Sequence, residues 1–468
     1  HTMAVPARDG SQPPNHRHSA GGEGSNGRCP TGKRGTKRRI VDMPSRCFQC
    51  MVLASVCIGL VGCSTEGDGI DDEQERMPKP VQEQRPPREF SDPSIEYVSV
   101  QPDSGDTDAV AVAGHPLLHT RQLLPLDADG NMVGDDAVEQ QIERVLANLE
   151  VVLDTAGSGY DKLIRLNIYA DSPETADQVR AHVESRVPGD SIPVITAVET
   201  PLPAEGARVA VDAVALAAAY DDGVALLQSQ RVNRDKKLAD GAIMPRGGAV
   251  YLSGYPDREP LPQGASNSLD TLLDIVDQLE LDPSHVAHLR VFMQSATAAD
   301  QVLRAVKKHF PRQLAPPVSF VQWRASAAVE IEMVVHLPLS KTAPADPVRY
   351  YTPPQMDPSP KFSRVAVVDT DRQIYIAGLS AREPGDGEFQ VRDIFEQLEA
   401  ILSKTGSDLL HLAKATYYVS GDDANQMLGE LRPEYYDPQR PPAASLARVH
   451  GVAQPKRTLR IDMIATGK

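Results

Sequence analysis

Between residues 94 and 468 one order of elements recurs three times, at intervals of roughly 125 residues: a short strand pair, an amphipathic helix, a strand, a second helix, and a closing strand pair around a proline. A solenoid repeat has a period of ~20–50 residues, so this spacing describes a small α+β domain present in three copies. The third copy is the clearest. Arg364–Val368 and Ile374–Gly378 read as strands joined by the polar turn Asp369–Arg372. Phe395, Leu398, Ile401 and Leu402 fall at helical spacing. Leu412–Val419 is a strand, Asp422–Leu431 a helix, and a last pair runs from Pro441 to Ile464. The first copy repeats this with a helix through Ile142, Val145, Leu146, Leu149 and Leu153, then the strand Leu163–Tyr169, the helix Pro173–Val183, and strands at Pro193–Thr196 and Val209–Val214. The second has Val250–Gly254, a helix near Leu269–Leu279, Leu289–Met293, a helix near Ala298–Phe310, Pro317–Phe320 and Val329–Met333. Arg165, Arg290 and Lys414 read as matching positions on the three central strands. The copies are bounded at 94–220, 221–340 and 341–468.

The segment ahead of the repeats has a different composition. Residues 1–42 are rich in Gly, Pro, Ser, Asn and Arg and are expected to form a disordered basic extension. Met43–Arg46 is a short basic run, and Phe48–Gly62 is mainly apolar but too short to span a bilayer. Leu60-Val-Gly-Cys63 resembles a bacterial lipobox, which makes 43–63 a signal peptide and Cys63 the lipidated residue. Residues 64–93 are acidic and rich in Pro and Gln, as in a flexible tether. The expected location is the bacterial cell envelope, lipid-anchored on the periplasmic side, with Ser64 favouring the outer membrane. All five cysteines lie at or before Cys63, so the repeats hold no disulfide and no thiolate metal site. Cys47-x-x-Cys50 has no second half. No cofactor or metal is expected. The formal net charge is −16 although residues 1–63 are basic, and so acidic a body argues against nucleic-acid binding, which depends on Lys and Arg neutralising phosphates.

Tyr251-Leu-Ser-Gly254 and Tyr375-Ile-Ala-Gly378 are similar to a strand motif of the RidA/YjgF family. Asn148-Leu149, Ala156-Gly157 and Ile164–Tyr169 resemble its central helix, loop and strand, and Val211-Asp-Ala213, Glu330-Ile-Glu332 and Arg460-Ile-Asp462 its closing hairpin. The resemblance covers about 94–468. It implies three tandem RidA/YjgF-like (chorismate-mutase-like) α+β domains forming an intramolecular pseudo-trimer, with an inner β-barrel, outer helices and a cleft between each pair of copies; such a chain would be a monomer. Active members of the family hydrolyse enamines and imines made from amino acids. An arginine in a Pro-x-Arg-Ser/Thr context clamps the substrate carboxylate, and a closing-strand acid helps position water. A bidentate guanidinium–carboxylate pair is the physical reason for arginine there.

At the matching positions stand Val194, Val318 and Ala444, so no copy keeps the clamp. Asp212, Glu332 and Asp462 are the counterparts of the closing-strand acid, read equally as polar positions on a barrel wall. Arg121, at the level of the family's strand glycine, and Arg448 are the cations closest to replacing the arginine, and each is read first as a surface or inter-copy contact. His119 is read as an ordinary packed or solvent-facing residue. These residues imply a non-catalytic small-molecule-binding or scaffold module whose ligand is a carboxylate or an imine; the alternative is an imine/enamine deaminase, or another hydrolase, with an altered site.

Overall fold

The computed structural model describes residues 88–468 apart from 101–105, 136, 190 and 355; the extension 1–42, the signal peptide 43–63 with Cys63, and most of the tether lie outside the described residues. No helix among the described residues is long and apolar enough to cross a membrane.

Each copy contributes six strands and two helices. The first holds β1 (Ser94–Val98), β2 (Ala109–Ala113), β3 (Leu117–Thr120), α1 (Val138–Thr155), β4 (Leu163–Ala170), α2 (Pro173–Glu184), β5 (Val194–Glu199) and β6 (Val209–Leu216). The second holds β7 (Ala225–Leu227), β8 (Gly241–Met244), β9 (Gly248–Asp257), α3 (Gln263–Gln278), β10 (Val286–Met293), α4 (Ala299–His309), β11 (Val318–Gln322) and β12 (Val329–Leu337). The third holds β13 (Val348–Tyr351), β14 (Val365–Val368), β15 (Arg372–Leu379), α5 (Gly387–Lys404), β16 (Leu412–Val419), α6 (Asp422–Tyr435), β17 (Ala443–Arg448) and β18 (Leu459–Ala465).

Local chemistry accounts for these boundaries. Ser172 caps α2 by accepting from the Thr175 amide, ahead of Pro173 in the first turn. Asp386 caps α5 through the Phe389 amide. In α1 the buried stripe Ile142, Val145, Leu146, Leu149 and Leu153 follows the helical period and packs on Leu166 and Ile168 of β4. β4, β10 and β16 are buried along all eight residues, because helices cover one face and the other copies cover the opposite one. That double burial is why they read as near-continuous apolar runs. Each is parallel to the strand that follows its crossover helix: β4 to β5, β10 to β11, β16 to β17.

The strands form three six-stranded sheets, in the orders β5-β4-β6-β3-β8-β7, β11-β10-β12-β9-β14-β13 and β1-β2-β15-β18-β16-β17. In every sheet four strands belong to one copy and the outer two to another. The first sheet takes β7 and β8 from the second copy, the second takes β13 and β14 from the third, and the third takes β1 and β2 from the first. The exchange is cyclic and closes within one chain. The sequence reading of Arg364–Val368 and Ile374–Gly378 as neighbours across a turn is therefore corrected. β14 pairs with β9 and β13, and β15 pairs with β2 and β18, so Asp369–Asp371 carries the chain from one sheet to the next. The expected inner barrel takes the form of three separate sheets whose inner faces pack together. At one end the shared core is apolar, with Val110, Leu117, Ala242, Val368, Tyr375 and Ile464. At the other it holds Tyr169, Phe292, Trp323, Tyr418 and Val449. A polar layer separates the two.

Candidate functional site

Strand register assigns the members of the polar layer to matching rungs. Asp212 lies opposite Asn167, Glu332 opposite Arg290, and Asp462 opposite Thr416. Asn167, Arg290 and Thr416 are thus one level, and two residues earlier stand Arg165, His288 and Lys414. Arg290 is not the counterpart of Arg165 and Lys414; His288 is. The near-equal sequence spacing hid this, since ladder partners and not residue counts define the level.

Each of the three acids is tied to a different copy. The Arg165 guanidinium donates to Asp462 and to the carbonyls of Ile376 (3.2 Å) and Met463 (3.1 Å). Lys414 Nζ donates to Glu332 Oε2 at 2.6 Å, and Ser445 Oγ donates to the same oxygen at 2.7 Å. Arg290 lies 3.9 Å from Asp212 and 3.7 Å from Glu332. Asp212 also accepts from Asn167 (2.6 Å), Tyr169 (2.5 Å) and Ser319 (2.6 Å). Burial opposes ionisation of Asp212 and Glu332, but the adjacent cations and hydrogen bonds outweigh it, and both carboxyls sit below their ordinary pKa. Burial pushes His119 down to about 3 and His288 to about 4, so both are neutral at pH 7. The cavity among these side chains is only about 40 Å³. The layer is charge-balanced and joins the copies, and the cavity beside its acids is too small for a substrate.

The clefts lie at the seams between copies. Between β5 of the first copy and β15 of the third is a cavity of about 210 Å³ lined by Ile195, Gly378, Ser380, Arg180, Gln397 and Arg460. Between β11 of the second and β3 of the first is one of about 380 Å³, with Arg121, Leu124, Leu303, Val318 and Phe320. At the third seam Ser445 of β17 accepts from the Gly254 amide of β9 at 3.1 Å, beside Glu330.

Val318 and Ala444 pair with Leu289 and Ala415, and the residue on that rung in the first copy is Ile195, opposite Leu166. Val194 is one position off and fully buried in the shared inner core. All three clamp levels, Ile195, Val318 and Ala444, are apolar. Arg121 lines the second cleft with its Nε on Asp240 at 2.9 Å, but Gln122 occupies the level of Gly254 and Gly378, three residues beyond His119, Tyr251 and Tyr375, which pair with matching rungs of the closing strands. The Gln122 amide instead straps β3 to Phe320 of β11, donating at 2.9 Å. Arg448 ion-pairs with Asp422 at an exposed rim. Of the packed and solvent-facing places expected for His119, it takes the packed one.

Sequence reasoning missed the most informative position. Ala210, Glu330 and Arg460 lie opposite Tyr169, Phe292 and Tyr418 on one rung, so three related places carry a methyl, an acid and a cation. Burial, reinforced by Glu332, raises Glu330 to about 7. Burial, reinforced by Arg180, lowers Arg460 to about 10, and Asp177 offsets this only in part. The signal was present: strand alternation puts Arg460 on the inward face with Asp462.

Residues 107–217 and 353–467 each match the family model described as endoribonuclease L-PSP. These two copies belong to this family, that of the YjgF/RidA proteins. The middle copy lies outside the matched spans yet has the same topology. Among solved structures, the chain is similar to a YjgF-family protein from Neisseria meningitidis (20% identity, 26% of this chain and 95% of that one, TM-score 0.20). It is also similar to a Rid-family protein from Yersinia pestis (26% identity, 26% and 98%, TM-score 0.22) and a YjgF-family protein from Mycobacterium tuberculosis (21% identity, 20% and 78%, TM-score 0.19). No curated protein matches the chain.

Proposed function

We propose that the chain is an exported, lipid-anchored YjgF/RidA-type protein that binds a small molecule, or serves as a scaffold, without the family's imine chemistry. The observation that carries this reading is the apolar side chain at every clamp level: Ile195, Val318 and Ala444. An aliphatic group offers no donor to a substrate carboxylate, and a lost charge-assisted hydrogen bond costs ~1.5–3 kcal/mol before desolvation is counted. At ~1.4 kcal/mol per tenfold, that slows turnover by roughly one to two orders of magnitude or more. The lipobox-like Leu60–Cys63 and the tether behind it support anchoring to the periplasmic face of an envelope membrane.

The test is hydrolysis of imines generated in situ from alanine or threonine derivatives, beside an arginine-containing relative. Background rates are expected, with a gain in Ile195→Arg; rates like the relative's would overturn the reading. A deaminase with an altered site is the second reading, favoured by Glu330. A buried carboxyl with a pKa of about 7 is suited to moving protons at neutral pH. Turnover abolished in Glu330→Gln would establish it.

A further inference from the structure

We infer that Glu139, Glu143 and His182 form a site for one divalent transition-metal ion, zinc fitting best, which clips α1 to α2 on the outside of the first copy. Glu139 and Glu143 stand one turn apart on α1 and so share a face, and His182 lies in the last turn of α2. Glu139 Oε1 is 3.0 Å from His182 Nε2, and Glu143 Oε1 is 2.9 Å from His182 Nδ1. Among the described residues no other three His, Cys, Asp or Glu side chains converge in this way. The glutamates are exposed and the histidine is half-buried, so an ion reaches them directly from solvent.

Both ring nitrogens face a carboxylate oxygen, and this is what calls for a cation. A neutral imidazole carries one N–H. One of the two contacts is then a hydrogen bond, and the other sets the nitrogen lone pair against a carboxylate. A metal ion placed there accepts from both; a second proton on the ring is the competing solution. The equivalent helix pairs of the other copies meet differently. In the third, Arg392 of α5 donates to Glu388 at 2.9 Å and to Glu434 of α6 at 3.4 Å. In the second, His309 of α4 faces one carboxylate, Asp270 of α3 at 3.0 Å, and its Nδ1 lies 2.7 Å from the Ala305 carbonyl. The donor set decides the class of ion. An imidazole favours zinc and its neighbours over magnesium and calcium, which take oxygen ligands. Zinc binds these donors at ~2.0–2.2 Å, and three protein ligands leave a fourth place for water. The three donor atoms already lie within 4.8 Å of one another, and a tetrahedral ion needs them ~3.4 Å apart at those bond lengths, a difference that rotation of the exposed glutamates closes. Arg186 competes with the ion. Its Nη2 donates to Glu143 Oε2 at 2.7 Å, and its Nη1 lies 3.4 Å from His182 Nδ1. Glu143 Oε1 stays outside that bond, but the guanidinium repels an arriving cation.

The experiment is titration of residues 64–468 with zinc chloride near neutral pH, read by calorimetry and thermal melting, with magnesium and calcium chloride as controls. This span holds every strand and helix of the three copies and none of the five cysteines, whose thiolates would bind zinc themselves. The expected result is saturable binding of one zinc per chain with a rise in Tm, and no rise with magnesium or calcium. His182→Asn and Glu139→Gln should each weaken zinc binding at least tenfold and remove the rise in Tm. Arg186→Met should bind zinc more tightly than the parent. Cobalt in place of zinc should give the visible absorption of a four-coordinate ion, absent in His182→Asn. If His182→Asn does not fold, the Glu139→Gln comparison decides. No saturable zinc binding, zinc binding unchanged in His182→Asn, or an equal response to magnesium overturns the site, and the first of these leaves His182 as a ring held between two carboxylates by a second proton alone.

Discussion

Asp462 and Arg165 belong to different copies and meet in a fully buried ion pair. Removing one partner of such a pair leaves the other charged and dry, at a typical cost of ~3–5 kcal/mol, whereas removing both can be neutral. Asp462→Asn is therefore expected to lower the unfolding free energy by that order, read as a lower urea midpoint, and Arg165→Met added to it to restore part of the loss. An unchanged midpoint in Asp462→Asn would show that the layer does not join the copies. Glu330 makes a pH-dependent contribution of opposite sign. Its folded pKa of about 7 lies above its ordinary 4.5, so between those values the folded chain binds more protons than the unfolded one. Stability from this group is present below pH 4.5 and is lost as pH rises through 7. His119, His288 and His336, with pKa values pushed down to about 3, 4 and 4 by burial, act the other way as pH falls below their ordinary 6.5. The group is isolated by difference: Glu330→Gln should gain on the order of 3 kcal/mol over the parent at pH 8 and nothing at pH 4. Equal differences at both pH values would contradict the burial of a titrating carboxyl there. The three layer acids were legible in the sequence as closing-strand residues, but the cations that hold them across the seams were not, because Arg290, Lys414 and Arg165 each lie on a different copy from Asp212, Glu332 and Asp462. Arg460 was legible only as part of a hairpin, although Leu459-Arg-Ile-Asp462 places two charged residues on one inward face.

The helices and central strands announce themselves through local periods. The stripe on α1 and the apolar run of β16 coincide with the expected elements within a few residues, since each pattern is set by the surface the element itself covers. The destination of each opening strand pair is a different kind of fact. β2 and β3 are separated by Gly114–Pro116 alone, a length that also permits a hairpin, and nothing in Ala109–Ala113 specifies that its partner is Arg372–Ile376 of the third copy. The seams are equally non-local. A Cβ on Gly378 would stand 3.0 Å from Thr196 Cα across the seam of β15 and β5, closer than packed side chains approach. Gly378→Ala is expected to cost ~1–3 kcal/mol as an overpacked contact. Parent-like melting would show that the seam is looser than this. Deleting residues 88–113 uncovers the edge of β15, and unpaired edges recruit other strands. Light scattering should then find self-association, and a stable monomer would argue that β1 and β2 are dispensable.

Linking three partners in one chain makes their association intramolecular, at a high effective concentration. The cyclic exchange goes further, because each sheet is complete only with strands from another copy and the last sheet needs the first copy's β1 and β2. Closure therefore depends on the whole chain, and a monomer in solution is the expected state. Export is a separate question, answered by mass spectrometry of protein from native membranes, where lipidated Cys63 should be the first residue; an unprocessed chain would remove the anchor. Ring closure is tested most directly by a disulfide across the exchanged strands. The repeats contain no cysteine, so Ala113→Cys with Arg372→Cys, a paired position of β2 and β15, introduces the only two thiols in residues 64–468. After oxidation of protein lacking residues 1–63, non-reducing denaturing electrophoresis should show single chains that migrate faster than the reduced form, as closure in cis requires. A ladder of disulfide-linked dimers and trimers would show that the strands are exchanged between chains and would contradict the intramolecular pseudo-trimer.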